Sequence, residues 1–534
     1  MSPEDPEPLG IHSIPIRRRK PVWTSPVVPC KRPAGGLAAR RVRSRHDYPA
    51  GPETVDDSFR WAEQYMRALE NSSEGDLSVR LSDVAGQGII LTTDYSGSGQ
   101  AEFSFGSISQ ALSSRGAAPK MTAFRCGDVQ PFCRRVLLAH EGRMQPQCVF
   151  GDMMVRMPGT MKAQFENLQQ KYNDMMARRV EIGSASFDDV GRQFAQECKS
   201  IYARDREGTS ACDLKAFCYK CRRMCPVFPD RTAYAPGSLI GSMAGPNCTP
   251  WSAMGSKRGW LSAASMPFFE YAREILMFDY DFVIIECTRA FDLTLCEMLF
   301  GDIYDIKDAT FSAEELGFAQ LRWRKYTVML RRTSLRWNFE FNKDNFLKIF
   351  GRKRQLTASS HFRAPPEEVA QEIHRLAAAR FLPDQAPNGQ PWPFISVLAP
   401  THKRILDNYM DMAQDKGIDV HTRDITFDLQ QHAHFNKVRN QTSLRALLRR
   451  SIVWSTLIGR TLIPKEHLEV QGIPVFASVA QAPFHRLLKK QLPPAKLRAL
   501  AGNAMHSGVA GAVLMFALSC SHPTPAAARD HDGL

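Results

Sequence analysis

Cys248 lies in a loop rich in glycine and proline, Ala244-Gly245-Pro246-Asn247-Cys248-Thr249-Pro250-Trp251-Ser252. A thiolate attacks electron-poor carbon, and stiff backbone fixes its approach, so Cys248 is a candidate nucleophile. The bland alternative is a buried structural thiol. Glu286 leaves the apolar run Phe282-Val283-Ile284-Ile285. Apolar neighbours raise a carboxyl pKa, which suits proton donation. Gln320-Leu321-Arg322-Trp323-Arg324 alternates, which puts Gln320, Arg322 and Arg324 on one strand face, either a binding strip or a solvated edge. Upstream, Tyr95-Ser96-Gly97-Ser98-Gly99 is a turn whose glycines allow close backbone approach to a ligand, or simply a tight bend. Asp128 and Asp152 end Cys126-Gly127-Asp128 and Phe150-Gly151-Asp152. Carboxylates there can accept hydrogen bonds from ribose hydroxyls and from an adenine amino group.

These residues need strand ends to hold them. Gly88–Thr93, Met121–Phe124, Gln147–Phe150, Leu239–Met243, Phe282–Ile285 and Tyr326–Leu330 read as strands. Helical patterns lie between several of them, at Phe103–Leu112, Phe132–Ala139 and Phe268–Phe278. Such alternation predicts an α/β fold: a mostly parallel sheet with helices on both faces and its site at the carboxyl ends of the strands. Phe291–Phe300 and Val509–Leu518 are apolar at helical spacing and read as core.

Between the third and fourth site turns, an insertion at about 198–230 carries Cys198 and then Cys212-x5-Cys218-x2-Cys221-x3-Cys225. Cys212, Cys218, Cys221 and Cys225 are candidate zinc ligands, since four thiolates suffice for a structural site. The alternative is reduced thiols on a helix over Leu214–Met224.

The chain has 534 residues, with 69 Lys and Arg against 55 Asp and Glu, a formal charge of +14. Its 43% hydrophobic and 23% charged residues exclude a mostly disordered chain or a collagen-like fibre. The positive balance points to a polyanionic partner. Thirteen Cys are too few for a disulfide scaffold, and no secretory segment follows Met1, so a reducing compartment is expected. The longest apolar run falls short of a membrane span, so no membrane partner is expected. Residues 1–55 read as a disordered basic tail, with ten Lys/Arg and three acidic residues from Met1 to His46. Such a tail serves as a nuclear address or a non-specific phosphate contact, or is simply solvated charge. Residues 521–534 read as a second disordered tail.

Taken in order, Tyr95 to Gly99, Asp128, Gly151-Asp152, Gly245-Pro246-Asn247-Cys248 through Ser252, Glu286 and Gln320-x-Arg322-x-Arg324 resemble the motifs of the cytosine-C5 methyltransferase family, which uses S-adenosylmethionine. Arg460-Thr461-Leu462-Ile463-Pro464-Lys465-Glu466 running to Gln471-Gly472-Ile473-Pro474 is similar to its ninth motif, and Gly502-Asn503-Ala504-Met505 to its tenth. The resemblance covers about 88–330 and 455–515. It implies a Rossmann-like methyltransferase domain over 80–334, a smaller target-recognition domain over 335–455, and a return to the first domain over 456–520.

The resemblance also implies roles. Cys248 would add to C6 of cytosine, Glu286 would engage N3, and Arg324 with Arg322 would hold the base. Tyr95, Ser96, Gly97, Ser98, Gly99, Asp128, Asp152 and Asn503 would bind S-adenosylmethionine. The partner would be DNA with its cytosine flipped out. Rival readings are a tRNA cytosine-C5 methyltransferase, with RNA as partner, and a catalytically silent nucleic-acid binder. The family pattern is broken at Asn247, Cys287-Thr288, Ala319 and Ala504-Met505. The first of these replaces the proline that would stiffen the nucleophile loop.

Overall fold

The computed structural model describes residues 48–182, 187–205, 213–390, 392–433, 438, 442–476 and 492–524. Its strands are β1 (Ile89–Asp94), β2 (Met121–Gly127), β3 (Cys148–Phe150), β4 (Lys215–Cys218), β5 (Arg223–Pro226), β6 (Leu239–Ala244), β7 (Phe282–Thr288), β8 (Tyr304–Ser312), β9 (Gln320–Leu321) and β10 (Trp323–Arg331), followed by short pairs. The main sheet has the order β5-β4-β3-β2-β1-β6-β7-β10-β8. β3, β2, β1, β6 and β7 are parallel, and β10 runs antiparallel to both β7 and β8. This is the mostly parallel, Rossmann-like α/β sheet expected from the sequence. The order reverses between β1 and β6, which opens a crevice at their carboxyl ends. β1 and β6 are buried along their whole length. Both faces are therefore covered, and the strands read as near-continuous apolar runs.

One face packs against helices Trp61–Glu70, Leu77–Gln87, Gln100–Ser113 and Ser507–Ser519. The last of these is buried at every residue, as expected of a core helix. Gly511 is needed there, because a Cβ would sit 2.0 Å from the Trp61 ring. The other face packs against Phe187–Asp205, Met266–Phe278 and Thr294–Phe300.

The boundaries differ from the sequence reading in four places. Residues 1–47 lie outside the described residues, but 48–55 are paired: the Gly51 amide donates to the Lys353 carbonyl at 2.8 Å, and Lys353 donates to Pro49 at 2.7 Å. A Thr54–Asp57 capping box then starts a helix at Val55, well before residue 80. Ser521–Pro523, assigned to a disordered tail, pairs with Leu335–Trp337, while 525–534 lie outside the described residues. Leu214–Met224 is not a helix; it supplies the hairpin of β4 and β5.

The basic, aromatic stretch at 335–354 turns its rings inward. Phe341 and Phe346 are buried in the main core, Phe346 stacking on Phe311 at 4.3 Å. A separate apolar cluster begins later, built by Phe394, Leu398, Tyr409, Phe427 and Trp454 over a small antiparallel sheet, Thr426–Asp428, Val453–Ser455 and Arg460–Thr461. It is joined to the main body where Leu444 pairs with Gln320 of β9. The segment resembling the ninth motif is a brace. Glu466 takes both Arg460 nitrogens at 2.8 Å and also accepts from the Ile463 and Ala364 amides, each at 2.8 Å.

Candidate active site

β6 and β7 run parallel with Ala244 opposite Ile285, so the chain leaves β6 at Gly245 beside Glu286. A Cβ on Gly245 would meet Met505 Cε at 2.9 Å and Glu286 Oε2 at 3.6 Å, so the loop leaves β6 in direct contact with both side chains. On the far side of β7, β10 sets Arg324 opposite Thr288 and Tyr326 opposite Glu286. Across this diagonal Arg324 Nε lies 2.9 Å from Glu286 Oε1. Glu286 is 6% exposed. Its surroundings are therefore not apolar alone, as the sequence alone suggests: a guanidinium holds one oxygen and leaves Oε2 toward the Cys248 loop.

Cys248 is exposed on that loop. Asn247 stands where proline was expected, and it stiffens the chain another way. Its Oδ1 accepts from the Thr249 amide at 3.0 Å, an Asx turn. The Cys248 carbonyl accepts from Trp251 and Ser252 at 3.1 and 2.9 Å. Cys287, a second departure from the family pattern, points its thiol at the Pro246 carbonyl, 3.8 Å away. Trp251 anchors the loop's far end against Trp260 and Phe291.

Arg322, expected beside Arg324 on the base, is committed elsewhere. Its guanidinium donates to the carbonyls of Ala504 at 2.7 Å and Leu447 at 3.2 Å. Burial, with Arg324 adding repulsion, pulls its pKa down to about 9. It latches the start of β10 to the segment following helix Pro494–Asn503.

That segment faces the turn after β1 across a narrow cleft that opens to solvent. Thr93 to Gly97, Gln100, Ala101, Met243, Gly245 and Asn503 to Met505 line it. Of the expected cofactor residues, Tyr95, Ser96, Gly97 and Asn503 are here. Ser98 and Gly99 are not. The Ser98 hydroxyl donates to Gln100 Oε1 at 2.8 Å, and Gly99 backs onto His140, whose ring a Cβ would meet at 2.1 Å. Burial pushes His140 down to about 4, so the ring is neutral at pH 7.

Neither acid lines the cleft. Asp128 stands behind Gly97, accepting its amide at 2.9 Å through Oδ2 and the Gln130 amide at 2.8 Å through Oδ1. Asp152 Oδ1 caps the Met154 amide at 2.9 Å. Both shape turns. Tyr95 Oη and Gln100 Nε2 are buried with no hydrogen-bond partner among the described residues. Orphaned polar atoms at a cleft suit a polar ligand such as S-adenosylmethionine.

The sequence reading missed what holds this floor in place. Asp94 and Glu274 share Arg125 and Arg156 in a closed, buried ring, with N–O distances of 2.9, 2.6, 3.1 and 2.9 Å. The available signal was an arginine inside the strand run Met121–Gly127 and a glutamate inside an apolar helix.

Glu102, in the helix after the turn, is fully buried and accepts from the Thr93 hydroxyl. Burial raises its pKa from 4.5 to about 7. The fold thus favours the protonated form. This stabilisation is fully present below pH 4.5 and is lost as pH rises through about 7. Glu102→Gln should flatten the denaturation midpoint against pH between 4.5 and 7. A slope identical to that of the wild type would contradict this placement.

Of the candidate zinc thiols, Cys212 lies outside the described residues. Cys218, Cys221 and Cys225 converge, and their fourth neighbour is Cys148.

No protein-family model and no curated protein matches the chain. Solved structures do. The Dnmt2 methyltransferase of S. pombe matches at 11% identity and TM-score 0.36, covering 80% of this chain and 98% of its own. A putative DNA modification methyltransferase from an E. coli prophage matches at 10% and 0.39, covering 80% and 97%. The Entamoeba histolytica methyltransferase EhMeth matches at 13% and 0.36, covering 81% and 98%.

Proposed function

We propose that this chain is a DNA (cytosine-5)-methyltransferase that works through a covalent bond between Cys248 and C6 of cytosine. The observation that carries the reading is the Arg324–Glu286 ion pair beside the Cys248 loop, next to a cleft edged by Tyr95, Gly97 and Asn503. A candidate nucleophile, an acid to grip the ring edge, and a cleft with orphaned polar groups lie around one topological switch point.

S-adenosylmethionine supplies an electrophilic methyl group when bound. Tyr95 Oη, Gln100 Nε2 and the Gly97 backbone are the groups that would hold it. Cys248 as thiolate adds its sulfur to C6 and pushes electron density to C5. Glu286, protonated on Oε2, donates a hydrogen bond to N3, and Arg324 fixes the orientation of Glu286 through Oε1 while contributing positive charge near the thiolate. Once C5 carried a methyl group, with S-adenosylhomocysteine the leaving group, loss of the C5 proton to solvent and breakage of the C6–S bond would return the thiolate. A cytosine in duplex must leave the stack first, since C6 is otherwise out of reach. The net charge of +14 and the separate cluster near 394–454 support a polyanionic, extended substrate.

The test is methyl transfer offered in parallel to unmethylated duplex, hemimethylated duplex and tRNA. Product at C5 of DNA cytosine is expected. Transfer to tRNA alone would replace the DNA assignment. No transfer to any of them, alongside saturable binding of the cofactor, would favour the silent binder.

A further inference from the structure

Cys148, Cys218, Cys221 and Cys225 have their Sγ atoms all within 4.8 Å of one another. None is in a disulfide. Three are buried and Cys221 is exposed. They come from two distant stretches of chain: Cys148 opens β3, and the others belong to the β4–β5 hairpin. We propose that these four cysteines form a structural zinc site that clamps the hairpin to the edge of the main sheet.

The geometry fits a tetrahedral thiolate site. A zinc–sulfur bond of about 2.3 Å sets sulfurs about 3.8 Å apart, so the four thiols need only small rotations to enclose an ion. Backbone amides already point at the Cys218 sulfur, Cys221 N at 3.3 Å and Val149 N at 3.4 Å. Donors aimed at a metal-bound sulfur stabilise its negative charge. Cys218 and Cys221 flank a tight turn in which Arg222 donates its amide to the Cys218 carbonyl at 2.8 Å. Arg222 adopts φ 58°, a left-handed conformation unfavourable to a non-glycine residue. Four thiols meeting by chance in a packed core need no such turn.

The clamp has a purpose in the fold. β4 joins β3 through one residue pair, Phe150 with Cys218. Further polar links to the sheet are the Tyr219 amide on the Val149 carbonyl at 2.8 Å and Lys220 on the Pro146 carbonyl at 2.6 Å, while Ala216, Val227 and Phe228 pack the base of the hairpin into the core. Its tip carries Tyr219, whose ring seats on Gly151; a Cβ there would stand 3.0 Å from it. The Arg134 guanidinium covers the same ring at 4.3 Å from the centroid. The zinc site therefore fixes an aromatic wall beside the Gly151-Asp152 turn.

The test uses the full chain, purified without a histidine tag and without chelator. Metal analysis is expected to give about one zinc per chain. Protein refilled with cobalt(II) should show the visible bands of a tetrahedral ion and sulfur-to-metal charge transfer in the near ultraviolet. Cys221→Ser, an exposed position that the fold tolerates, should lower zinc occupancy several-fold, as should Cys148→Ser. Cys198→Ser and Cys212→Ser should leave it unchanged. The proposal is overturned by zinc well below stoichiometric with all four thiols reacting freely in native protein, by disulfides among them, or by Cys212→Ser losing the metal while Cys148→Ser keeps it. Zinc is read without substrate, so its absence would leave the methyl-transfer reading standing, and a failure of methyl transfer would leave the metal count standing.

Discussion

Cys248→Ala should lower methyl transfer by at least roughly 10³-fold, because removal of an attacking nucleophile leaves only binding and orientation to act on the ring. Stability should stay within about 0.5 kcal/mol of the wild type, since Cys248 is exposed and its loop is held by Asn247, Cys287 and Trp251. Cofactor affinity should hardly change, because Cys248 does not line the cleft of Tyr95, Gly97 and Asn503. The signature is thus a collapse of turnover with binding and folding intact. Turnover equal to the wild type would remove the nucleophile assignment.

Replacing Arg125 by methionine should cost about 3–5 kcal/mol of stability. The side chain is fully buried, and its loss leaves Asp94 and Glu274 facing each other with Arg156 alone between them. An uncompensated buried carboxylate is the expensive element, more than the loss of the bond itself. Arg125→Lys should fall between, since one ammonium cannot serve both acids as the planar fork does. Urea denaturation of the three proteins measures this. A loss below about 1 kcal/mol for the methionine variant would show that the ring of charges is not what holds β1 against β2 and the helix Met266–Phe278. Asp94 also lines the cleft, so weaker cofactor binding should accompany the loss of stability.

The parts of this fold that could be read from the sequence are the central strands. β1, β6 and β7 are buried on both faces and appear as unbroken apolar runs between turn residues. β8 escaped because Tyr304–Ser312 carries Asp305, Lys307 and Asp308 at the sheet edge, where one side meets water. The β4–β5 hairpin is hidden in the sequence because its four-residue strands, Lys215–Cys218 and Arg223–Pro226, are too short to show a period of two. Charges misled in both directions. Those at 335–354 suggested a surface domain, while the phenylalanines between them enter the core. Arg125, Asp94 and Glu274 are buried, because each finds its partner only in three dimensions.

The site divides along the same line. Strand ends deliver Gly245, Glu286 and Arg324 to one place, since register in neighbouring strands follows from the apolar runs. Arg322 follows the same alternation, yet its guanidinium is spent on the carbonyls of Leu447 and Ala504, which are distant in sequence. Asp128 and Asp152 sit at the expected turns and use their oxygens on backbone amides. A chain segment's own composition cannot announce a contact with a carbonyl more than a hundred residues away.

The central claim is the sulfur–carbon bond. Incubation of the full chain with S-adenosylmethionine and a duplex carrying 5-fluorocytosine blocks the final elimination, because fluorine at C5 cannot leave as the proton does. The account predicts a protein–DNA adduct stable to denaturation, whose peptide map places the added mass on Cys248, and no adduct with Cys248→Ala. An adduct on another cysteine, or methylated duplex formed with no trapped protein at all, would contradict it.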